Sequence, residues 1–284
     1  MSRILACLDD SPYSVGICDL AAWAAVRLGW EVELLHVLQR KSAVTARHDL
    51  SGAIGLGVKS NLLEELTRID ELQGKLAIEK GQALLRAAEQ RLRDASVAGI
   101  AVRHRHGGIV ETILEREAEA GLLVMGKRGA SSEFAAAHLG SKIERVLRAS
   151  TKPMLIAPLS LATPVRVLIA YDGGKSAKRA VELVRQSPLF SGLPIHVLMA
   201  GGDSTENEEA LVRVAEALAQ SGATVTTELR AGAAEAVIAR ATAERPGSLL
   251  IMGAHGHSPL RHLIIGSTTT ATIRLVEAPV LLVR

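Results

Sequence analysis

The stretch that decides how this chain folds is Leu249-Leu250-Ile251-Met252-Gly253, followed by Gly256 two residues later and, after nine more, by Gly266-Ser267-Thr268-Thr269-Thr270. An apolar run that leads into a glycine-rich loop, and then into a helix opening on hydroxyl residues, is typical of a phosphate site in a parallel-sheet protein. Glycine lets the backbone approach an anion closely, and the helix start adds unpaired N–H groups and a positive dipole end. The lysine of a Walker P-loop is absent, so the stretch is not that motif.

The same stretch occurs earlier in the chain. It reads Leu122-Leu123-Val124-Met125-Gly126, then Gly129 after two residues and, after ten more, Gly140-Ser141. The segments that follow the two copies also match, as Pro153-Met154-Leu155-Ile156 and Pro279-Val280-Leu281-Leu282. The chain therefore contains an internal duplication.

Both copies resemble universal stress protein domains, whose nucleotide-binding members carry glycine, two residues, glycine, nine residues, glycine, then serine or threonine. The second copy has this spacing without adjustment. The resemblance covers nearly the whole chain and implies a tandem universal stress protein.

Short apolar strands alternate with amphipathic helices in both halves, which predicts an α/β fold of two doubly wound parallel-sheet, Rossmann-like domains in tandem. We expect a first domain at 1–158 and a second at 164–284. The first half carries about 36 extra residues, which places an insertion at about 40–73, before a helix predicted from Lys75 to Arg93. The resemblance implies that the last strands of the two domains pair across a pseudo-two-fold axis, so that one chain imitates a dimer.

Composition excludes several classes of protein. Hydrophobic residues make up 48% of the 284, aromatic residues only 2%, and the net charge is +3, with neither the basic run nor the aromatic platform of a nucleic-acid binder. The only cysteines, Cys7 and Cys18, are too few for a disulfide framework and favour buried thiols in a reducing compartment. No signal peptide or membrane-spanning run is seen, so we expect a cytoplasmic protein that binds neither nucleic acid nor membrane.

The second half supplies the main predicted nucleotide site. Ligands of such sheets bind at the carboxyl ends of the strands. The resemblance gives Asp172 a polar contact with the nucleoside, and Val197 or Leu198 would flank the base. The predicted phosphate-binding set is Gly253, Gly256, Gly266, Ser267, Thr268 and Thr269. A simpler interpretation remains open, in which the glycines only allow a tight turn and Ser267 only caps a helix.

The first half predicts a weaker site, or one for a smaller ligand. Its corresponding residues are Asp9, Val37, Gly126, Gly129, Gly140 and Ser141. The hydroxyls of Thr268 and Thr269 have no counterpart there, and Asp10 adds a second negative charge beside Asp9. Lys127, Arg128 and Lys142 either offset that charge or are solvated surface groups.

Histidines raise the question of a metal. His255, His257 and His262 lie in the second loop, and His104 and His106 are spaced to share one face of a strand. Without a carboxylate or cysteine at matching spacing, we assign no metal ligand. No nucleophile elbow or acid–base pair stands out, so we assign no catalytic residue and expect at most slow ATP hydrolysis.

The resemblance implies an ATP-binding stress-response protein in which the bound nucleotide (ATP, ADP or AMP, with associated magnesium) controls a conformation or a partner protein. We also expect a homodimer of these chains. The alternative is a nucleotide-independent protein-interaction module that uses the loops and the insertion. A nucleotide-using transferase or ligase is a third interpretation, but such enzymes place a histidine-rich signature after the first strand, and it is absent here.

Overall fold

The computed structural model describes residues 3–39, 56–129, 139–254 and 266–284. In the first half, strands and helices alternate in the order β1 Arg3–Leu8, α1 Ser14–Leu28, β2 Glu31–Leu38, α2 Leu56–Asp94, β3 Ile100–His106, α3 Ile109–Glu117, β4 Leu122–Gly126, α4 Ser141–Ala149 and β5 Met154–Ala157.

The second half repeats this order. Its elements are β6 Arg166–Ala170, α5 Lys175–Gln186, a short 3-10 turn at Pro188–Phe190, β7 Ile195–Ala200, α6 Thr205–Ala219, β8 Val225–Arg230, α7 Ala234–Glu244, β9 Ser248–Gly253, α8 Ser267–Leu275 and β10 Val280–Val283.

The ten strands of the described ranges form one sheet, in the order β3-β2-β1-β4-β5-β10-β9-β6-β7-β8. Every neighbouring pair is parallel except β5 with β10, which join the two halves in antiparallel register, with Leu155 opposite Leu281. The predicted tandem α/β fold and the pairing of the last strands are confirmed.

Helices cover both faces of the sheet. One apolar layer packs α1, α2, α5 and α6 against the sheet, and the other packs α3, α4, α7 and α8 on the opposite face. The central strands are therefore buried on both sides, which is why Leu249–Met252 reads as an unbroken apolar run instead of alternating.

The region predicted as an insertion is partly helical. Residues 56–73 belong to α2, which runs unbroken from Leu56 to Asp94, whereas residues 40–55 lie outside the described ranges. The prediction that the helix begins at Lys75 was wrong because Gly74 does not end it. Glycine costs only about 1 kcal/mol relative to alanine inside a helix, so one glycine does not stop a long one.

The start of α1 differs from what its sequence predicts. Ser11 before Pro12 is typical of an N-cap followed by the first residue of a helix, but α1 begins at Ser14 after a turn closed by the bond from the Ser14 amide to the Ser11 carbonyl. The backbone N–H of Ser11 donates instead to the side chain of Asp9. This turn holds Asp9 at the carboxyl end of β1.

Candidate functional site

A cleft opens at the carboxyl ends of β1, β2 and β4 in the first half, between α3 and α4. It encloses about 630 Å³ of space, part of it open to solvent. Strand ends meet here because β1 lies between β2 and β4, which is where the chain reverses direction across the sheet. Its lining residues are Cys7, Leu8, Asp9, Ile17, Leu35, Val37, Ile109, Ile113, Met125, Gly126, Arg128, Gly129, Gly140, Ser141, Lys142 and Ile143.

The floor of the cleft is apolar and its rim is polar. Val37 and Met125 are the second-last residues of β2 and β4, and Ile113 and Ile143 project from α3 and α4. Burial raises the pKa of the Cys7 thiol, so the floor carries no thiolate at neutral pH. A floor of this kind suits a flat, weakly polar ring system.

The rim includes the start of α4. Gly140 is the N-cap, with extended backbone angles, and no side chain caps this helix. The Gly140 amide donates to the Lys127 carbonyl, which brings the helix start beside the end of β4. The first N–H groups of α4 and its positive dipole end therefore lie at the cleft, where they favour an anion.

Two glycines of the first loop are required by close contacts. A Cβ atom on Gly126 would lie 2.6 Å from the Tyr13 Cβ, and one on Gly129 would lie 2.5 Å from a carboxylate oxygen of Asp9. Neither has a positive φ angle. These glycines thus allow the loop to lie against α1 and Asp9, which adds a packing role to the predicted approach to phosphate.

Asp9 is held in place by its neighbours. Its Oδ1 accepts from the Ser11 amide at 3.2 Å, and its carbonyl accepts from the Ser14 hydroxyl at 2.5 Å. Asp10 is exposed and does not line the cleft, whereas Arg128 and Lys142 do. The charge balance of the cleft is therefore more favourable to an anion than the pair Asp9-Asp10 suggested.

Lys127 does not serve the cleft. Its side chain is buried, and Nζ donates to the carbonyl of Val276, the residue that ends α8 in the other half. Lys127 therefore neither offsets the charge of Asp9 and Asp10 in the cleft nor is a solvated surface group, which were the two roles that the sequence suggested. Arg284 makes the reverse connection, donating to the carbonyls of Ser150 and Arg148 at the end of α4. Each half therefore supplies a cation to the carboxyl end of the other half's last helix, where the dipole favours one.

Burial lowers the pKa of Lys127 to about 8, with the Arg128 charge adding to that effect and Glu277 opposing it. Because this pKa lies below the unfolded value of about 10.4, the unfolded chain binds more protons between those values, and stability rises with pH there. We expect the wild type to gain about 2 kcal/mol over Lys127→Met between pH 7.5 and pH 10. Urea unfolding of both proteins at each pH measures this, and a difference that does not change with pH would contradict it.

The second half repeats much of this arrangement. Asp172 Oδ1 accepts from the Gly174 amide at 2.9 Å, as Asp9 does from Ser11. A Cβ atom on Gly253 would lie 2.3 Å from the Ser176 hydroxyl, so this glycine also sits against a helix start. Asp172 also lines a cleft of about 1210 Å³ between α5 and α6, together with Lys178 and Arg213.

The start of α8 differs in detail from its predicted role. Gly266 is the N-cap and Ser267 the first helical residue, so Ser267 does not cap the helix. Ser267 and Thr268 are exposed, but Thr269 is buried, and its hydroxyl donates to the carbonyls of Gly253 and Ala254. Thr269 thus holds the loop to the helix. Gly256 lies outside the described ranges.

Strand register identifies a residue that sequence reasoning missed. Leu5 pairs with Glu33 in the first half as Leu168 pairs with His196 in the second, which makes Ala200 the counterpart of Val37. Val197 lies in the apolar layer of α5 and α6, whereas Leu198 is buried in the layer of α7 and α8, two residues before Ala200 on the same side of the strand. Aligning the two strands residue by residue would have revealed Ala200.

The residues of α3 that line the first-half cleft, Ile109 and Ile113, were also missed. They belong to an amphipathic helix whose apolar face has no distinguishing motif in sequence. Only the crossover connection from β3 to β4 places that face beside the carboxyl ends of β1 and β2.

The structure describes only some of the histidines that raised the question of a metal site. His255, His257 and His262 lie outside the described ranges, and His106 is stacked on His104, with ring centres 6.0 Å apart. Within those ranges, no three His, Cys, Asp or Glu side chains converge as metal ligands would. None of the helices within the same ranges has the length and apolar character needed to span a membrane.

Comparison with known proteins agrees with the duplicated fold. The model of the family described as "Universal stress protein family" matches residues 1–158 and 188–284. The universal stress protein Slr1230 of Synechocystis sp. is 34% identical over 288 residues, covering all of both chains.

Solved structures show the same fold along the whole chain. A universal stress protein from Archaeoglobus fulgidus is similar with a TM-score of 0.72 and 23% identity, over 99% of this chain and 98% of its own. A protein of Pseudomonas aeruginosa described as a putative universal stress protein has a TM-score of 0.64 and 17% identity, over 100% and 93%. With two matched segments and a full-length relative, this chain belongs to the universal stress protein family.

Proposed function

We propose that this protein binds adenine nucleotide and acts in the stress response by changing a conformation or a partner interaction with its nucleotide state. The observation that carries the proposal is the first-half cleft, in which an apolar floor adjoins an uncapped helix start. The proposal also includes a cytoplasmic location.

Different parts of the cleft would contact the base, the nucleoside and the phosphates of a nucleotide. Val37 and Met125 would contact the base, and Asp9 would accept hydrogen bonds from the nucleoside. The phosphates would lie at the start of α4, where its N–H groups point and where Ser141 and Arg128 line the cleft. Magnesium would accompany the phosphates as part of the bound nucleotide.

The second half is proposed to hold the tighter site. Its loop has the family spacing, and α8 begins with Ser267 and Thr268, both exposed. The first half has Lys142 where the second has Thr268, so it offers fewer hydroxyl donors and one more positive charge. The proposed order of affinity therefore rests on the hydroxyl donors.

We assign no catalytic residue. Asp9 and Asp172, the carboxylates at the ends of β1 and β6, each accept a backbone hydrogen bond and are proposed to face the nucleoside. Neither is placed to activate a water molecule at the terminal phosphate, so efficient turnover is not part of the proposal.

A second candidate function is a nucleotide-independent interaction module. The observation that favours it is the exposed part of α2, where Ile69, Leu72 and Leu76 are all accessible to solvent. Under this alternative the glycine loops serve packing alone, as the contacts of Gly126 and Gly253 already do.

The experiment is extraction of nucleotide from the denatured purified protein, followed by titration of the emptied protein with ATP. It is carried out on wild type, Gly140→Arg and Gly266→Arg, which place a long side chain at the start of α4 or of α8. We expect adenine nucleotide in the wild type, its loss in Gly266→Arg, and loss of the weaker ATP-binding event in Gly140→Arg.

The outcomes separate the candidates. Equal loss from both variants would contradict the predicted order of affinity but keep the nucleotide function. A wild type that carries no nucleotide and binds no added ATP would overturn the proposal and leave the interaction module. Circular dichroism and thermal unfolding of each variant show whether the fold is intact.

A further inference from the structure

A long part of α2, residues 64–76, is exposed on every side of the helix. The helix has 39 residues and is about 58 Å long. Its carboxyl-terminal part packs on the sheet through Gly81, Leu85, Ala88 and Leu92, but every residue from 64 to 76 is exposed. The corresponding helix of the second half, α6, has only 15 residues.

This exposed part carries an apolar stripe, formed by Ile69, Leu72 and Leu76, whose exposed fractions are 42%, 57% and 52%. At 100° per residue these three lie on one side of the helix, roughly 150° away from the face that packs on the sheet. The stripe is therefore not a continuation of the buried face. Large apolar side chains exposed in a row mark an interaction surface.

The surface around the stripe is complementary to the same surface of a second copy when the two helices are antiparallel. Ile69 and Leu76 lie at equal distances from a point between Leu72 and Gln73, and so do Glu65 and Lys80, both exposed on the stripe side. If two such helices pair antiparallel about that point, Ile69 meets the partner's Leu76, and Glu65 meets the partner's Lys80. A parallel pair would place Glu65 against Glu65 and Lys80 against Lys80, which repel.

The two strands that join the halves of the chain are not available for association with a second copy. β5 and β10, the strands whose edges pair the two halves, are bonded to each other within the chain and cannot pair with a second copy. Beyond Lys80, the stripe side continues with Ala83 and Ala87, which are exposed and small enough for a close helix contact.

We propose that the stripe of α2 binds the same stripe of a second copy of this chain, in antiparallel orientation about the point between Leu72 and Gln73. The occupant is a second copy because the opposite charges at the two ends of the stripe are placed for self-pairing. Because the dimer has a two-fold axis, each contact occurs twice. The dimer would contain two Ile69–Leu76 pairs and two Glu65–Lys80 ion pairs.

The first test is the mass of the full chain in sedimentation experiments between about 1 and 100 µM. We expect the wild type to be a dimer and Leu72→Glu to be a monomer, because two carboxylates would be buried at the centre of the pair. Leu72 is exposed in the single chain, so this variant should keep its fold. A monomeric wild type would overturn the proposal. It would favour an alternative in which residues 40–55 or a different partner covers the stripe.

The second test exchanges the charges. Glu65→Lys and Lys80→Glu should each weaken the dimer about 10-fold, since each change replaces two attractions by two repulsions. The double variant Glu65→Lys/Lys80→Glu should return to within about 3-fold of the wild type. The control is Glu71→Lys, on the opposite side of the helix, which should leave the dissociation constant of the dimer unchanged. If the double variant dimerises no more tightly than either single variant, the proposed pairing of Glu65 with the partner's Lys80 is overturned.

The third test reports orientation. Ile69→Cys and Leu76→Cys proteins, mixed and oxidised, should form disulfides between the two variants, because these positions meet in the antiparallel pair. Each variant alone should form few, since equal positions then lie about 10 Å apart along the axis. Efficient disulfide formation by each variant alone would show a parallel pair and contradict the proposal.

Discussion

Arg116→Met is expected to lower the free energy of unfolding by about 3 kcal/mol at neutral pH. Glu33 lies within β2 with only 1% of its side chain exposed, and Arg116 donates to both of its oxygens at 2.8 Å. Arg3 donates a further bond at 2.8 Å. Methionine fills similar volume but leaves a buried carboxylate with one cation instead of two, and removing a partner from such a pair is strongly destabilising.

The pH dependence of this difference follows from the pKa of Glu33. Burial raises that pKa, but the hydrogen bonds and charge of Arg116, together with the charge of Arg3, outweigh burial and hold it below its ordinary value. The stabilisation is therefore present above the unfolded pKa and is lost as pH falls through the folded one. We expect the difference between wild type and Arg116→Met to narrow as pH falls below about 4.

A surface pair provides the control. Arg145 donates to Glu111 at 2.9 Å, but their side chains are 60% and 66% exposed, so Arg145→Met should cost less than about 1 kcal/mol. Denaturant unfolding of the three proteins at pH 7 and at about pH 3.5 measures both effects. An Arg116→Met loss as small as that of the control would contradict the account of Glu33.

Val37→Glu is expected to weaken nucleotide binding to the first half by about 100-fold, equal to about 2.7 kcal/mol. Val37 is the second-last residue of β2 and lies in the apolar floor, where the proposed site would hold the base. A carboxylate at that position must either lose its water when the base binds or block the base, and an unpaired buried charge costs several kcal/mol. The residue is only half-buried without ligand, so the fold should tolerate the change.

The matched variant in the second half is Ala200→Glu, at the position that strand register makes equivalent. It should affect the second site and leave the first unchanged. Val15→Glu, on the exposed side of α1, is the control and should leave both sites unchanged. ATP titration by calorimetry distinguishes the three variants. A Val37→Glu protein that binds as the wild type does at both sites would place the base elsewhere.

The candidate site was predictable to different extents in its different parts. Asp9, Val37, Gly126, Gly129, Gly140 and Ser141 were identified from sequence, and all of them line the observed cleft. They could be identified because each ends a strand or opens a helix, positions that leave local signals such as glycine and hydroxyl residues. Whether they bind nucleotide stays a prediction.

Other parts depended on contacts between distant segments. Lys127 stands between two residues of the cleft in sequence, yet its side chain crosses to Val276 in the other half. Nothing in the local pattern indicates this, because the partner is a backbone carbonyl 149 residues away. The same applies to Ile109 and Ile113, whose contribution depends on where α3 crosses the sheet.

By itself, the sequence determined the duplication and the alternation of strands and helices, because repeated apolar runs and glycine loops are local features of the sequence, whereas the pairing of the last strands was implied by the family resemblance. Only the tertiary structure decided that α2 extends through Gly74 and that Lys127 joins the halves. Helix length, register and side-chain direction are set by packing against segments far away in the chain, and that packing exists only once the sheet has formed.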